Sequence, residues 1–285
     1  MEIKKVGVVG CGLMGSGIAQ VCAQAGYQVV VSEANEELLK KGLGSIDSFL
    51  ANSVKKGRVT QEDKDALISR IKGTIDFKDF ADCNLVIEAV VENIDLKKKI
   101  FAQLDEICPD DAILASNTSC LSVIDIANAT SRPEKVLGLH FFNPVPLMKL
   151  LEIVKSIATS DETIEAGKEF GKAVGKTTII APDIPGFIVN RLLMPFMHGA
   201  LRMLESGYAT KEDIDTGVKL GLGHPMGPIT LADLIGLDTD LFIANAIYDE
   251  LKETQYAPPT ILKKMVAAGW WGRKTGKGFY DYNKK

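Results

Sequence analysis

Val6-Gly-Val-Val-Gly10-Cys-Gly12-Leu-Met-Gly15-Ser-Gly17-Ile-Ala-Gln20 carries a short apolar run into a Gly-x-Gly-x-x-Gly turn and straight on into a helical pattern. In such an arrangement Gly10 permits the tight turn and Gly12 lets the backbone approach a pyrophosphate. Gly15 lets the helix close on the strand. The phosphates then rest on the unpaired N–H groups at the positive end of the helix. Glycine-rich turns are common, and the motif alone is a weak signal; its context supports it. A second apolar strand, Tyr27 to Ser32, ends at Glu33, near the spacing of about 20 residues at which an acid takes the adenosine ribose diol. A carboxylate there accepts hydrogen bonds from a free 2′-hydroxyl and repels a 2′-phosphate. No Arg or Lys intervenes before Lys40, and the expected dinucleotide is NAD.

The rest of the first two-thirds repeats the alternation of strand and helix. Strand-like runs fall at 5–9, 28–32, 73–76, 85–88, 112–115, 136–140, 150–154 and 177–181, with helical patterns at 14–25, across 36–70, at 94–107 and at 161–171. Alternation of this kind predicts a mostly parallel sheet covered by helices. Ala181-Pro-Asp-Ile-Pro-Gly-Phe187 then punctuates the chain, a suitable hinge with its glycine among stiff prolines. Beyond it only helical patterns follow, at 187–205, 211–220, 230–251 and 259–268. The fold class expected is α/β, a Rossmann-like domain over 1–184 followed by a smaller all-helical domain over 185–285. The apolar face Leu192, Leu193, Phe196 and Met197 is large for a domain of that size. A homodimer through the helical domain would cover it; packing within a monomer is the alternative.

Composition narrows the classes. The chain of 285 residues is 46% hydrophobic and 25% charged with a formal net charge of -4, as in ordinary globular proteins and unlike a nucleic-acid binder. The cysteines (Cys11, Cys22, Cys83, Cys108, Cys120) form no Cys-x-x-Cys pair, so no zinc site or disulfide framework is expected. The first strand begins almost at once and no apolar run is long enough for a membrane span. The expected location is the cytoplasm.

Of the three histidines, His140 ends an apolar strand, where open α/β sheets place ligands. The chain returns as Leu150-Leu-Glu152-Ile-Val154. If the strands pair about a turn near Pro146, His140 and Glu152 stand opposite each other on one face. A carboxylate beside an imidazole fixes its tautomer and stabilises the imidazolium, which makes the ring a general base. On pattern alone a packed core histidine is an equal alternative. His198, in an apolar helix, reads as structural. His224, in His-Pro-Met-Gly-Pro, reads as a packing or closure residue.

Seven segments then stand in order: Gly10-Cys-Gly-Leu-Met-Gly15, Glu88-Ala-Val-Val-Glu-Asn93, Ser116-Asn-Thr-Ser119, Gly138-Leu-His-Phe-Phe-Asn-Pro-Val-Pro146, Pro185-Gly-Phe-Ile-Val-Asn-Arg191, His224-Pro-Met-Gly-Pro228 and Gly276-Lys-Gly-Phe-Tyr280. Together they resemble the L-3-hydroxyacyl-CoA dehydrogenase family nearly end to end, its short-chain bacterial branch most of all. The resemblance implies reversible NAD-dependent oxidation of an (S)-3-hydroxyacyl-CoA, in that branch 3-hydroxybutyryl-CoA, to the 3-oxoacyl-CoA. His140 matches the base and Glu152 its partner. Ser119 matches the hydroxyl near the reacting oxygen and the nicotinamide, and Asn190 the amide beside the substrate carbonyl. Gly10, Gly12, Leu13, Met14, Gly15, Glu33, Glu92, Lys97, Asn143 and Lys274 match cofactor-binding positions. Lys56 matches a contact to coenzyme A, with Asn52 one turn earlier where relatives can carry a second lysine.

Bland readings accompany these roles. Ser119 can be a helix N-cap before Leu121-Ser-Val-Ile-Asp-Ile. Asn190 can be satisfied within its own helix. Lys56 can be a solvated cation at a helix C-terminus, and Glu92, Lys97, Asn143 and Lys274 can be solvated surface. Other functions weighed are a lysine-based hydroxyacid dehydrogenase acting on a free acid, and a non-catalytic NAD-binding protein. The His140/Glu152 pair and the Lys56 patch speak against the first; the complete set Ser119, His140, Glu152 and Asn190 speaks against the second.

Overall fold

The computed structural model describes residues 3–283, and the chain divides into two compact units, Met1–Asp183 and Ile184–Lys285. The first unit runs β1 (Lys5–Val9), α1 (Leu13–Gln24), β2 (Gln28–Ser32), α2 (Glu36–Lys55), α3 (Gln61–Ile68), β3 (Ile71–Thr74), β4 (Leu85–Glu88), α4 (Ile94–Ile107), β5 (Ile113–Ser116), α5 (Val123–Ala127), β6 (Val136–Phe141), β7 (Leu150–Lys155), α6 (Asp161–Ala173) and β8 (Thr177–Pro182).

These strands form one eight-stranded sheet in the order β3-β2-β1-β4-β5-β6-β7-β8. From β3 to β6 every neighbour pair is parallel. β7 then turns back antiparallel on β6, and β8 runs parallel to β7. The sheet is therefore mostly parallel, as the alternation predicts. Helices cover both faces of such a sheet, which is why β4 (Leu-Val-Ile-Glu) and β5 (Ile-Leu-Ala-Ser) are buried at every position. The strand order reverses about β1, which has β2 on one side and β4 on the other. At such a switch point the connecting loops diverge and leave a ligand crevice at the carboxyl ends.

Two local details differ from the sequence reading. β3 occupies 71–74 rather than 73–76, because its ladder with β2 starts by pairing Ile71 with Val29. The short helix α5 is capped not by Ser119 but by Ser122, whose side chain accepts from Asp125 N at 3.2 Å. The carboxylate of Asp183 takes the next two free donors, Val123 N and Ile124 N, at 2.8 and 2.7 Å. Ser119 is committed elsewhere.

The second unit holds α7 (Val189–Glu205), α8 (Lys211–Gly221), α9 (Pro228–Ile235), α10 (Leu237–Leu251) and α11 (Thr260–Ala267). The helical pattern at 230–251 is two helices, broken at Gly236, whose φ of +102° a helix cannot accommodate. Met194, Met197, Leu201, Ile229, Leu237, Ile247 and Leu262 are completely buried. Leu192, by contrast, is 72% exposed, so the face expected from the sequence divides between core and surface.

Two buried acids tie the tail of this unit to its helices. Asp233, fully buried on α9, accepts from Phe279 N and Tyr280 N at 2.9 Å and from the Tyr282 hydroxyl at 3.0 Å. Burial pushes its carboxyl up against the pull of those donors. Asp215 on α8 accepts from Ile229 N, Thr230 N and the Tyr280 hydroxyl. Among the described residues no helix is long and apolar enough to cross a membrane.

Candidate active site

The crevice at the switch point is built by the glycine turn. Gly10 has φ +93°, a value that favours glycine. A Cβ on Gly15 would stand 1.8 Å from Gly10 O, so only glycine lets α1 begin so close to β1. A Cβ on Gly12 would meet nothing within 4 Å: this position faces open space. The first turn of α1, opened by Leu13 and Met14, has no side-chain cap and no acidic residue to compete for its N–H groups. Glu33, just past β2, lies against the same turn. Its Oε1 accepts from Cys11 N and its Oε2 from Ala34 N, both at 2.9 Å. The open cradle, unclaimed helix terminus and adjacent carboxylate fit a dinucleotide with a free ribose diol.

Along the sheet, the carboxyl ends of β4, β5 and β6 bring the next polar groups together. β4 ends at Glu88 and β5 at Ser116, which pair in register. Glu92 follows β4 and Lys97 lies in α4. Glu92 Oε1 accepts from Ser119 N at 2.7 Å, Ser119 Oγ at 3.2 Å and Thr118 Oγ1 at 3.1 Å. Lys97 is only 1% exposed and ion-paired to Glu88 at 2.6 Å and Glu92 at 3.3 Å. A solvated-surface role is thereby excluded for Lys97.

β6 and β7 pair His140 directly with Glu152. His140 Nδ1 lies 2.7 Å from Glu152 Oε2, with Glu152 fully buried and His140 6% exposed. Phe142 packs on the imidazole with ring centroids 4.5 Å apart. Asn117 Oδ1 accepts from Phe141 N at 2.9 Å and ties the loop after β5 to the end of β6. The arrangement is an imidazole held by a buried carboxylate at the carboxyl edge of the parallel strands, where such sheets place ligands.

The other residues singled out from the sequence lie on the loop after β6, at the end of α2 and in the helical unit. Asn143 is exposed on the loop after β6. Asn52 and Lys56 are exposed at the last turn of α2; along a helix of 20 residues they lie about 24 and about 30 Å from its N-terminus. In the helical unit, Asn190 is buried in the first turn of α7. Lys274 pairs with Asp238 and lies over the Trp271 ring. His198 pairs with Asp240 at 2.9 Å with both side chains fully buried, a structural pair in the helical core. His224 is exposed and stacks on Phe196.

Sequence reasoning did not single out Glu88, Ser116, Asn117 or Thr118. The available signal was a glutamate closing a wholly apolar strand, Leu85-Val-Ile-Glu88. All the cysteines are buried free thiols. Burial, reinforced by Glu33 and Glu92 respectively, pushes Cys11 and Cys120 up to about 12, so neither supplies a thiolate at neutral pH. Among the described residues no cluster of His, Cys, Asp and Glu suits a metal ion.

Two family models match, described as 3-hydroxyacyl-CoA dehydrogenase, NAD binding domain, over residues 5–184 and 3-hydroxyacyl-CoA dehydrogenase, C-terminal domain, over residues 186–282. The chain is 49% identical to a 3-hydroxybutyryl-CoA dehydrogenase of Bradyrhizobium diazoefficiens, across 98% of this chain and 96% of that protein. It is 48% identical to one of Mycobacterium tuberculosis, across 98% and 99%. The crystal structure of (S)-3-hydroxybutyryl-CoA dehydrogenase from Ralstonia eutropha superposes with a TM-score of 0.95 at 44% identity, covering 99% of this chain and all of that one. With a glycine-turn crevice, a buried histidine–glutamate pair and relatives matched along nearly their whole length, the chain belongs to the 3-hydroxyacyl-CoA dehydrogenase family.

Proposed function

We propose that this protein is an NAD-dependent (S)-3-hydroxyacyl-CoA dehydrogenase of short-chain preference, interconverting 3-hydroxybutyryl-CoA and acetoacetyl-CoA. The observation that carries the reading is the 2.7 Å contact between His140 Nδ1 and buried Glu152. Glu152 accepts from Nδ1–H and so leaves the basic lone pair of the neutral ring on Nε2. In oxidation His140 Nε2 removes the 3-hydroxyl proton, and the imidazolium that forms is balanced by Glu152. In reduction the same Nε2–H returns the proton to the 3-oxo oxygen. NAD, when bound, accepts the hydride from C3.

Gly10, Gly12, Leu13, Met14, Gly15 and Glu33 hold the dinucleotide, with Glu92, Lys97, Asn143 and Lys274 as further cofactor residues. Ser119 serves the reacting oxygen and Asn190 the thioester carbonyl. Ser119 Oγ directs its proton toward Glu92, so its lone pairs are what it offers a ligand. Lys56, with Asn52 beside it, receives the phosphorylated end of coenzyme A, where an exposed ammonium binds as a point charge. The helical unit mediates a homodimer, supported by exposed Leu192, Leu220 and Leu222. The reduced thiols suit a cytoplasmic protein.

NADH oxidation with acetoacetyl-CoA, but not with free acetoacetate, is the expected result, and NADPH should be a poor substitute. His140→Gln should lower turnover by about 10²–10⁴-fold while NADH still binds. Absence of turnover of acetoacetyl-CoA by the native protein would refute the reading.

A further inference from the structure

The groups behind Ser119 form a closed ring. Lys97 Nζ donates to Glu88 Oε1 at 2.6 Å and lies 3.3 Å from Glu92 Oε2. Glu92 Oε1 accepts from Thr118 Oγ1 at 3.1 Å, and Thr118 N donates to Ser116 Oγ at 3.2 Å. Ser116 Oγ donates to Glu88 Oε2 at 2.7 Å and closes the circuit. Glu88, Lys97, Ser116 and Thr118 are each no more than 1% exposed. Ser119 hangs from this ring through its N–H and its hydroxyl, both on Glu92 Oε1.

The charges make the ring asymmetric. Two carboxylates share one ammonium, and Glu88 takes the shorter contact. Glu88 also accepts from Val90 N at 2.7 Å, which pins it to the strand end. It therefore holds Lys97 back and leaves Glu92 Oε1 available to Ser119 and Thr118. Every atom of Glu88 is out of solvent. A carboxylate is costly to bury, and its partners here lead to one substrate-facing hydroxyl.

We propose that Glu88 is a positioning residue for the dehydrogenase reaction, acting through Lys97 and Glu92 to fix the place and proton direction of Ser119. The inference rests on the proposed function. Turnover by the native protein tests that function separately, so the two can fail independently. In Glu88→Gln the side chain keeps its shape, but Lys97 is drawn to Glu92. The new NH₂ also points a second donor at Ser116 Oγ, which already accepts from Thr118 N.

The test is a double-mutant cycle on kcat for acetoacetyl-CoA reduction, with Glu88→Gln and Ser119→Ala alone and together. NADH affinity is read from cofactor fluorescence. Glu88→Gln should lower kcat by about tenfold in the native background and less than about twofold in Ser119→Ala, the coupling expected within one hydrogen-bond network. Any weakening of NADH binding, passed on through the cofactor residues Lys97 and Glu92, should be the same in both backgrounds, and saturating NADH separates it from kcat. Equal losses in both backgrounds would make Glu88 merely structural and overturn the proposal. So would an unchanged kcat, or a loss confined to NADH Kd. Should Glu88→Gln fail to fold, Ser116→Ala cuts the same ring without touching its charges. It must then show the same dependence on Ser119, with a loss of about threefold in the native background, or the proposal falls.

Discussion

Glu152→Gln keeps the size of the side chain and removes its charge from the imidazole. In the native site the two groups are 2.7 Å apart, with Glu152 fully buried. At that separation and an effective dielectric near 20, a full imidazolium–carboxylate attraction amounts to about 6 kcal/mol. With the proton about half transferred, about 3 kcal/mol of stabilisation is missing from the transition state, or about 10²-fold in kcat. The glutamine can also turn its NH₂ toward Nδ1, which moves the ring proton to Nε2 and disables the base. That raises the expected loss toward about 10⁴-fold. The assay is steady-state oxidation of (S)-3-hydroxybutyryl-CoA with NAD, with NADH affinity and the melting curve as controls. A folded, NADH-binding Glu152→Gln protein within about threefold of native kcat would refute the reasoning, because the dyad would then contribute less than 1 kcal/mol.

Glu33→Ala combined with Ala34→Arg should move preference toward NADPH, since repulsion of the 2′-phosphate gives way to a charge-assisted contact; an unchanged NADH/NADPH ratio would place ribose recognition elsewhere. NADH binding should also weaken in that variant, because Glu33 holds the Cys11 N–H of the glycine turn. Lys56→Ala should raise KM for acetoacetyl-CoA by about threefold with kcat nearly unchanged, and added salt should shrink the difference, as for an exposed charge. Asp105 provides a test of acid stability. Burial pushes its carboxyl up, but hydrogen bonds from Arg132 and Ser131 outweigh this and hold it below the usual range. A depressed carboxylate contributes stability in full above its unfolded pKa of about 3.9 and loses it as pH falls through the lower folded value. Asp105→Asn should therefore cost about 1–3 kcal/mol in urea denaturation at pH 7, with the gap to native narrowing below about pH 4; a gap independent of pH would show the charge to be irrelevant.

Much of the fold is legible because a parallel sheet writes itself as apolar runs. The sequence reading and the structure agree to the residue at β1, β2 and β4, where all but the first residues of β1 and β2 are buried and most side chains are β-branched or large aliphatic. At β3, an edge strand of four residues, the pattern is diluted and the pairing with β2 sets the position. The break at Gly236 was hidden because α9 and α10 are both apolar, so one pattern runs through two helices. In the site, the pairing of His140 with Glu152 follows from strand period and a turn near Pro146. The ring around Glu88 does not follow, since its members come from β4, β5, α4 and the loops between them. Their side-chain directions depend on how α4 packs. A reading of Ser119 as a helix cap considers only its neighbours in sequence; the partner that claims it, Glu92, is 27 residues away.

The tail clamp of the helical unit bears on how this chain is made. Asp233 has no exposed surface, and its donors, Phe279 N, Tyr280 N and the Tyr282 hydroxyl, lie among the last described residues. While those residues are still inside the ribosomal tunnel, α9 must keep an unsatisfied carboxylate in contact with water. The first unit closes its sheet with β8, which ends at Pro182, and can fold while synthesis continues. The helical unit has to wait until those residues have left the tunnel. Nascent chains stalled at Tyr282 should accordingly resist protease over the first unit while the second is still cleaved, and the second should become resistant only once Tyr282 has been carried clear of the tunnel.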